Sequence, residues 1–598
     1  MMVVDVFKAI RREWTALNVL LRVKGWLDPV SREPDVLAPD DLEACIDRFS
    51  DRTAVRFEGR EMTYSELDSF ANRIAQWALS KGLKRGETVA LLMENCPEYI
   101  AVWFGLSKIG VVTALVNTNL SGDSLAHSIG IVNARLLITG SEQDEQVQTL
   151  PSSLLDTLPV WSLGGSFGHS LGEVLELKPD RRPAKSTRAR MTSDATCLYI
   201  YTSGTTGLPK AAHMSHARVR TMIRTFIAPC KATSEDRTYV TLPLYHATGG
   251  LCAVGIAFQT GGEVVLRRRF SASAFWQDCR DHEVSIIAYI GELCRYLVNQ
   301  PAQPGDRQHK VRAAFGNGLG SDIWNTFSDR FGVSRIVEFY GSTEGNVKFM
   351  NYDSQPGSCG RVPPIARKQY QHVAFVKFDP VTGTPVRDEN GYCVRTGTNE
   401  VGEAIGRIGS DTTTRFEGYR DEEASEEKIL KDVFEPGDRW FRTGDLMRQD
   451  KHGYVYFVDR AGDTFRWKGE NVSTNQVADA LARVPGVQTA NVYGVPVPGS
   501  DGKAGMASVT TNGYLDYQHL LDSLAAHLPR YAIPVFIREQ QEAATTGTFK
   551  YRKVDLAADG YDPDTVEDPV WYADPETGQY VRLTPEEYTK ITAGGKHF

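Results

Sequence analysis

The decapeptide YTSGTTGLPK, which runs from Tyr201 to Lys210, combines hydroxyl side chains, glycines and a lysine at the end of an apolar run. Glycines let the backbone approach a polyphosphate closely, and backbone N–H groups and hydroxyls can donate hydrogen bonds to it. The spacing differs from that of a Walker A loop, which requires G-x-x-x-x-G-K-[ST]. Composition alone is equally typical of an ordinary turn. The candidate phosphate contacts are Thr202, Ser203, Gly204, Thr205, Thr206, Gly207 and Lys210.

Short apolar runs separated by longer amphipathic stretches surround this segment. Strands that are buried on both faces read as continuous apolar runs, and helices between them favour parallel sheets. The predicted fold class is therefore α/β, followed by a smaller region with its own apolar pattern beyond residues 459–463. The predicted strands cover residues 89–95, 111–117, 136–139, 197–202, 239–243, 284–290 and 336–341.

Length and composition describe a large globular protein. The chain has 598 residues, of which 41% are hydrophobic, and this excludes wholesale disorder. A net charge of −8 without a dense basic block argues against nucleic-acid binding. The nine cysteines include no CxxC pair, which favours a reducing cytoplasmic compartment. His213 and His216 have no third ligand nearby in the sequence, so we assign no metal to them.

Residues 1–27 predict an amphipathic helix that carries several lysines and arginines. Such a helix is typical of a membrane interface, although a helix packed on its own protein fits equally well. We predict no membrane-spanning helix, because Lys108 interrupts the apolar window 99–117 and glycines break the window 247–266. The expected location is cytoplasmic, with peripheral membrane contact through residues 1–27 as an alternative. The apolar positions at helical spacing are Val3, Phe7, Ile10, Trp14, Leu17 and Leu21.

Further motifs follow the candidate phosphate loop along the chain. Each combines glycines with polar or aromatic residues, as binding loops at strand ends commonly do. They are LPLYHATGG (residues 242–250), FGNGLG (315–320), FYGSTEG (339–345), WFRTGDL (440–446) and TTGTFKYRK (545–553).

Together with YTSGTTGLPK, these motifs resemble in sequence and order the signatures of the adenylate-forming superfamily. That superfamily contains acyl-CoA synthetases, luciferases and nonribosomal-peptide adenylation domains. The resemblance extends over residues 42–556. Within it, residues 116–129 and 459–474 are similar to the fatty acid transport protein/very-long-chain acyl-CoA synthetase branch.

The resemblance implies a large N-terminal domain with mixed and parallel sheets and a small, mobile α+β C-terminal domain. It also implies that a fatty acid carboxylate attacks the α-phosphate of ATP, releasing pyrophosphate, and that CoA thiolate then displaces AMP from the acyl-adenylate. The expected substrates are a long- or very-long-chain fatty acid, ATP and CoA, with Mg²⁺. We predict an amphipathic segment over residues 1–41, an AMP-binding domain over 42–461 and a small C-terminal domain with an extension over 462–598.

The resemblance also assigns nucleotide contacts residue by residue. Glu344 is the expected Mg²⁺ ligand, because a hard oxygen donor suits this ion. Thr343 is expected at the α-phosphate, Tyr340 offers a face for adenine, and the acceptor-only carboxylate of Asp445 suits the ribose hydroxyls. The further predicted nucleotide contacts are Gly318, Leu319, Gly341 and Arg460.

Lys550 is the residue that the resemblance places at the adenylation step, although nearby Lys553 is a second lysine in the same motif. His246, with Gly249 and Gly250, is expected at the acyl site, where no acidic residue pairs a substrate ammonium. Gly462 is the expected interdomain hinge. Gly469 is expected near CoA, and the predicted catalytic residues are Lys550, Thr205, Lys210, His246 and Glu344.

Two other functions remain open on the sequence. The first is an acyl-AMP ligase that passes the acyl group to a carrier thiol; the WKGEN segment, residues 467–471, favours CoA instead. The second is a membrane-associated fatty-acid uptake protein, as the name of the branch implies.

Overall fold

The computed structural model describes residues 2–203, 208–380, 382–468, 470–498, 500, 502–513, 515–543, 553–594, 596 and 598, without the side chains of residues 2–11, 203 and 554. The chain forms two compact units. Unit 1 contains residues 1–318, 326–355 and 407–429, and unit 2 contains residues 319–325, 356–406 and 430–598. The predicted domain boundary at residue 462 is not a boundary of this division, and it stays a prediction.

A seven-stranded sheet in unit 1 carries the candidate phosphate loop at one edge. Its strands are parallel except for the last pair, which forms an antiparallel hairpin. Central strands such as Thr88–Leu92 are buried throughout, as continuous apolar runs predict. In sheet order the strands are His169–Ser170, Val160–Leu163, Leu136–Gly140, Thr88–Leu92, Val112–Leu115, Thr196–Ser203 and Pro209–Ser215.

An eight-stranded sheet forms the other half of unit 1. Its interior pairs are parallel, and an antiparallel strand closes each edge. With the first sheet, it confirms the predicted α/β class. In sheet order the strands are Lys348–Met350, Arg335–Gly341, Ala313–Asn317, Ile286–Ile290, Arg237–Val240, Glu263–Leu266, Thr53–Phe57 and Arg60–Thr63.

Helices connect the parallel strands of unit 1. The helix Tyr64–Ser80 begins with a capping box. Thr63 Oγ1 accepts a hydrogen bond from the backbone N–H of Glu66, and the Glu66 carboxylate accepts one from the backbone N–H of Thr63 at 2.8 Å. The other helices are Met2–Arg32, Ala38–Phe49, Pro97–Ser107, Gly122–Gly130, Asp144–Gln148, Ser152–Leu155, Leu171–Glu176, His216–Thr225, Ile227–Cys230, Val254–Thr260, Phe275–Asp281, Gly291–Asn299, Trp324–Phe331 (which extends into unit 2) and Glu422–Glu426.

The N-terminal helix Met2–Arg32 exposes part of its predicted apolar face. Trp14 and Leu21 are 64% and 59% exposed, whereas Ala16 and Val19 on the same helix are buried. The helix packs on His216–Thr225. Large apolar side chains therefore point away from the protein. Within the described ranges, no helix is both long enough and apolar enough to cross a membrane.

Unit 2 contains an antiparallel sheet that carries two predicted site residues, and a five-stranded sheet nearer the C-terminus. Two short hairpins lie outside these sheets, Phe378–Asp379 with Thr384–Pro385 and Phe465–Trp467 with Glu470–Val472. The antiparallel sheet comprises Gly360–Arg361, Tyr454–Arg460, Arg439–Gln449, Val401–Arg407 and Val373–Val376, with Ile429–Lys431 beside Arg439–Gln449. The five-stranded sheet comprises Val487–Pro496, Lys503–Thr511, Phe536–Gln540, Val570–Asp574 and Gln579–Arg582.

The five-stranded sheet and its helices share one hydrophobic core. The buried residues of this core lie between Phe465 and Ile591. The residues after 561 contribute two strands and a helix to it, so the C-terminal extension is part of the packed structure. This arrangement is the α+β region that the resemblance implies. Its helices are Thr474–Leu481, Tyr517–His527, Lys553–Asp559 and Pro585–Thr592.

Candidate active site

The candidate phosphate loop joins two paired strands. Thr202 is opposite Lys210, and Ser203 is opposite Pro209, so the hairpin brings both ends of the loop together. The predicted contacts Gly204, Thr205, Thr206 and Gly207 lie outside the described residues. The structure therefore places the base of the loop, and the roles of its tip stay predictions.

Tyr419 connects the loop lysine to the predicted metal ligand. The Lys210 ammonium lies 5.9 Å from the Tyr419 ring centroid and 3.4 Å from a carboxylate oxygen of Glu427. The Tyr419 hydroxyl donates to Glu344 Oε1 at 2.8 Å. Lys210 and Glu344 are 134 positions apart by their numbers, yet one tyrosine contacts both. The fold therefore brings the phosphate hairpin and the TEG motif to one place.

Buried Arg218 holds the backbone around Thr343 and Glu344. Its guanidinium donates to the carbonyl oxygens of Ser342 at 2.9 Å and Gly345 at 2.7 Å, on either side of those two residues. Burial lowers the pKa of Arg218, whereas the carboxylates of Glu417 and Glu344 act in the opposite direction. We identify Arg218 and Tyr419 as positioning residues that the sequence motifs did not indicate.

Glu344 offers chemistry that suits Mg²⁺. The residue is 7% exposed, and the Tyr419 hydroxyl binds one of its two carboxylate oxygens. Mg²⁺ retains several waters and uses one or two carboxylates together with substrate phosphates. Among the described residues no group of three or more metal-ligating side chains occurs. The metal role of Glu344 stays a prediction.

The predicted adenine-binding turn is supported by a buried carboxylate. Glu338 accepts hydrogen bonds from the Tyr289 hydroxyl and from the backbone N–H of Gly318. Gly318 has a φ of +84°, a conformation that favours glycine. The ring centroids of Tyr340 and Phe349 are 5.9 Å apart, and Phe349 lies on the neighbouring edge strand. Tyr340 is partly exposed.

Three other predicted nucleotide contacts lie near this turn in the sequence. Gly341, at the end of the strand Arg335–Gly341, is exposed, and Thr343 is partly exposed. Leu319 is buried and belongs to unit 2. Their roles in nucleotide binding stay predictions.

The predicted acyl segment is a π-helix. The residues Thr248–Ala253 form it, and Ala247 separates it from His246. Such π-helical turns are frequent at functional sites. A Cβ atom added to Gly249 would lie 2.7 Å from the carbonyl oxygen of Pro243. A Cβ atom added to Gly250 would clash with the carbonyl oxygen of Leu244. The glycines therefore permit close backbone packing in this segment, and their role at an acyl site stays a prediction.

Asp445 and Arg460 are paired within unit 2. They lie opposite each other on adjacent antiparallel strands, and Arg460 Nε is 3.5 Å from Asp445 Oδ1. The Asp445 side chain is 9% exposed, whereas that of Arg460 is 57% exposed. Their pairing is compatible with one polar site, and their nucleotide contacts stay predictions.

The expected hinge lies beside a buried polar network. Gly462 is exposed, and a Cβ added to it would meet no atom within 4 Å. Next to it, Asp463 accepts from the Lys553 ammonium at 2.9 Å, and the same ammonium donates to Thr474 Oγ1 at 2.7 Å. Lys553 is therefore engaged within unit 2. Lys550 and Gly469 lie outside the described residues.

We predict that Glu344→Gln slows adenylate formation by at least about a hundredfold, because it removes the charge that we expect to hold Mg²⁺. The amide oxygen can still accept from Tyr419. Tyr419→Phe removes only that hydrogen bond and is expected to cost about tenfold or less. Pyrophosphate release at a series of Mg²⁺ concentrations measures both. Equal losses in the two variants, or an unaltered Mg²⁺ dependence in Glu344→Gln, would contradict the metal role of Glu344.

The α/β fold carries the candidate site, and sequence comparison identifies the class of protein. Residues 42–402 match the AMP-binding enzyme family, and residues 476–550 match the AMP-binding enzyme C-terminal domain. The first match covers more than half of the chain. The chain therefore belongs to the AMP-binding enzyme family.

Within this class the chain is similar to the long-chain fatty acid transport proteins. It is 42% identical to long-chain fatty acid transport protein 6 of Mus musculus, covering 92% of this chain and 91% of the relative. It is also 42% identical to long-chain fatty acid transport protein 3 of Homo sapiens, covering 86% of this chain and 76% of the relative.

A solved structure supports the fold. The anthranilate CoA ligase AuaEII in complex with anthranoyl-AMP matches with a TM-score of 0.74 at 21% identity. The match covers 88% of this chain and 97% of that ligase. The overall α/β architecture is therefore that of a known ligase.

Proposed function

We propose that this protein activates long- or very-long-chain fatty acids, converting fatty acid, ATP and CoA into acyl-CoA, AMP and pyrophosphate through an acyl-adenylate. One observation carries the proposal: Tyr419 joins Lys210 of the phosphate hairpin to Glu344 of the TEG motif. The chain that builds this site aligns with the long-chain fatty acid transport proteins over most of its length.

The first half-reaction brings together two anions, a carboxylate and a triphosphate. Positioning and neutralisation of charge therefore account for most of the barrier that the protein must lower. Lys210 and the loop hydroxyls bind phosphate oxygens, and Thr343 donates to the α-phosphate. Glu344 would hold Mg²⁺, which supplies further positive charge at the phosphates. Lys550 draws the carboxylate and the α-phosphate together.

The second half-reaction forms the thioester. CoA thiolate attacks the acyl carbonyl carbon, the carbon–oxygen bond to AMP breaks, and AMP leaves with its phosphate negatively charged. The WKGEN segment favours CoA over a carrier thiol as the acceptor. The apolar tail of the acid lies beside His246 and the π-helix, where burial of each CH₂ contributes about 0.8 kcal/mol.

Product analysis tests the proposal directly. Purified protein with Mg²⁺ and ATP is given saturated acids of increasing chain length, with and without CoA, and pyrophosphate, AMP and acyl-CoA are quantified. We expect pyrophosphate release both with and without CoA. We expect AMP and acyl-CoA as products only when CoA is present. Release of the acyl group to a phosphopantetheine carrier but not to free CoA would favour the acyl-AMP ligase. Absence of pyrophosphate with every acid would refute adenylation.

We propose as a second property that the N-terminal helix binds membrane surfaces peripherally. The outward-facing Trp14 and Leu21 beside the exposed basic residues Arg22 and Lys24 support this proposal. Such a helix gains both buried apolar area and attraction to anionic lipid headgroups.

We predict that the double variant Trp14→Ser, Leu21→Ser loses most of its binding to anionic liposomes, because it removes the apolar side chains that would enter the interface. Sedimentation with the liposomes measures binding. Leu177→Ser is the matched control, since Leu177 is 85% exposed outside this helix. Equal sedimentation of all three proteins would count against membrane contact through residues 1–27.

A further inference from the structure

A groove of about 640 Å³ lies beside the N-terminal helix in unit 1. Its volume falls within the range of about 300–1,000 Å³ that is typical of small-molecule sites. One wall of this helix groove is formed by Arg22, Gly25, Trp26 and Pro29. The other wall comes from residues 224–233. The lining includes none of the predicted site residues that the structure describes.

The N-terminal helix presents one face to the helix groove. Its four lining residues are spaced as i, i+3, i+4 and i+7, which places them on one side of the helix. Glycine is less favourable than alanine inside a helix, and proline lacks the N–H that a helix requires. A Cβ atom added to Gly25 would meet no atom within 4 Å. The helix therefore carries two unfavourable residues, Gly25 and Pro29, on the face that leaves open space.

The helix groove combines apolar side chains, such as that of Trp26, with unpaired positive charge. Arg22 and Lys231 are exposed, and neither has an ion-pair partner within the part of the chain that the structure describes. Arg224 is the third cation of the lining, and its guanidinium lies 2.7 Å from a carboxylate oxygen of Asp41. Among the described residues, no acidic side chain lines the groove. This combination is complementary to an amphiphile with an anionic headgroup.

The exposed apolar side chains of the N-terminal helix lie next to the helix groove. Leu21 precedes Gly25 by four positions, which is about one helical turn, and Trp14 precedes Leu21 by two turns. Both side chains are more than half exposed. An amphiphile held at this apolar face would therefore have a short path into the groove.

We propose that the helix groove binds one long-chain fatty acid at a second site, which is separate from the site of adenylation. The carboxylate would pair with Arg22 and Lys231, and the hydrocarbon chain would lie against Trp26 and the apolar residues of the opposite wall. The volume of the groove suits a ligand with one hydrocarbon chain, so we assign a fatty acid rather than a diacyl phospholipid. The choice of a fatty acid over other single-chain anions rests on the proposed function.

Photo-crosslinking tests where the acid binds. The full-length protein, without ATP, Mg²⁺ or CoA, is mixed with palmitic acid that carries a diazirine on its chain, irradiated and digested, and mass spectrometry identifies the labelled peptides. We expect label on the peptides that contain Trp26 or residues 227–233. Unlabelled palmitic acid is expected to compete at least about tenfold better than hexadecanol, which lacks the charge.

The competitors also decide the nature of the ligand. Equal competition by hexadecanol and palmitic acid would overturn the pairing of a carboxylate with Arg22 and Lys231. Stronger competition by lysophosphatidylglycerol than by palmitic acid would assign the groove to a lipid headgroup and overturn the choice of a fatty acid.

Gly25→Leu fills the helix groove with a side chain and is expected to reduce the label on the groove peptides at least about tenfold, because it occupies the volume that the hydrocarbon chain needs. Gly172→Leu is the matched control, since Gly172 also lies in a helix and also has no atom within 4 Å of an added Cβ. Label that persists at the groove in Gly25→Leu, or that is lost equally in Gly172→Leu, would overturn the proposal.

A charge variant tests the same site without filling it. Arg22→Gln combined with Lys231→Gln is expected to weaken labelling of the groove peptides by palmitic acid at least about tenfold. Lys24→Gln is the control, because Lys24 is exposed on the same helix but does not line the groove. Equal losses in the double variant and in Lys24→Gln would show general attraction to basic residues and refute the site.

Pyrophosphate release from ATP and palmitic acid separates this inference from the proposed function. A wild type that activates the acid but carries no label at the groove would refute the second site alone. A wild type that activates no acid would refute the proposed function. Label at the groove that still depends on Gly25 and Arg22 would then support the binding site independently of catalysis.

Discussion

Replacing Lys550 with alanine is expected to abolish acyl-adenylate formation while sparing conversion of supplied acyl-AMP to acyl-CoA. We infer that its ammonium stabilises negative charge that develops as the carboxylate attacks the α-phosphate, and loss of one such group typically costs at least about 10²–10³ in rate. The second half-reaction starts from the acyl-adenylate, in which the bond between the two anions has already formed, so it does not require that charge. The two half-reactions therefore separate in this variant.

Two assays measure this separation: pyrophosphate release from ATP and fatty acid, and thioester formation from synthetic acyl-AMP and CoA. Lys590→Ala is the matched control, because this lysine is 61% exposed on a C-terminal helix. Lys553 is unsuitable as a control, since its ammonium binds Asp463 and Thr474. Normal adenylation by Lys550→Ala would show that the role of this lysine is wrong.

Replacing Gly462 with proline is expected to leave adenylate formation intact and to reduce thioester formation to background. Proline confines its own φ near −65° and restricts the preceding residue, Ala461, so the backbone can no longer rotate freely there. We infer that this rotation moves the C-terminal region from presenting Lys550 to presenting Gly469.

Gly462→Ala supplies the control for this prediction. The structure leaves space for a Cβ at this exposed position, so alanine is expected to fold normally and keep more backbone freedom than proline. Acyl-AMP that accumulates with Gly462→Pro but not with the alanine variant would support the hinge. Normal overall turnover by Gly462→Pro would refute it.

Much of the fold follows from local patterns. Predicted strands at residues 136–139 and 336–341 correspond to Leu136–Gly140 and Arg335–Gly341, since both are rich in aliphatic, β-branched or aromatic residues. The predicted run 89–95 ends as a strand at Leu92. Its last residues include the buried Asn95, whose amide donates to the carbonyls of Leu242 and Arg267. An apolar pattern predicts a strand, whereas contacts from distant residues set its end.

The candidate site, like the fold, depends partly on local sequence motifs and partly on contacts between distant residues. The motifs identified Lys210 and Glu344 because glycines, hydroxyls and charges occur together over a few consecutive residues. Arg218 and Tyr419 lie outside those motifs and act on them through contacts across the fold.

The sequence by itself determined the class of fold, the candidate phosphate loop and the family resemblance, because these depend on residue order over short stretches. The tertiary structure alone decided that one tyrosine joins Lys210 to Glu344, and that Arg218 holds the backbone on either side of Thr343 and Glu344. Such contacts depend on how helices and strands far apart in the chain pack together. Local residue patterns carry no direct record of that packing.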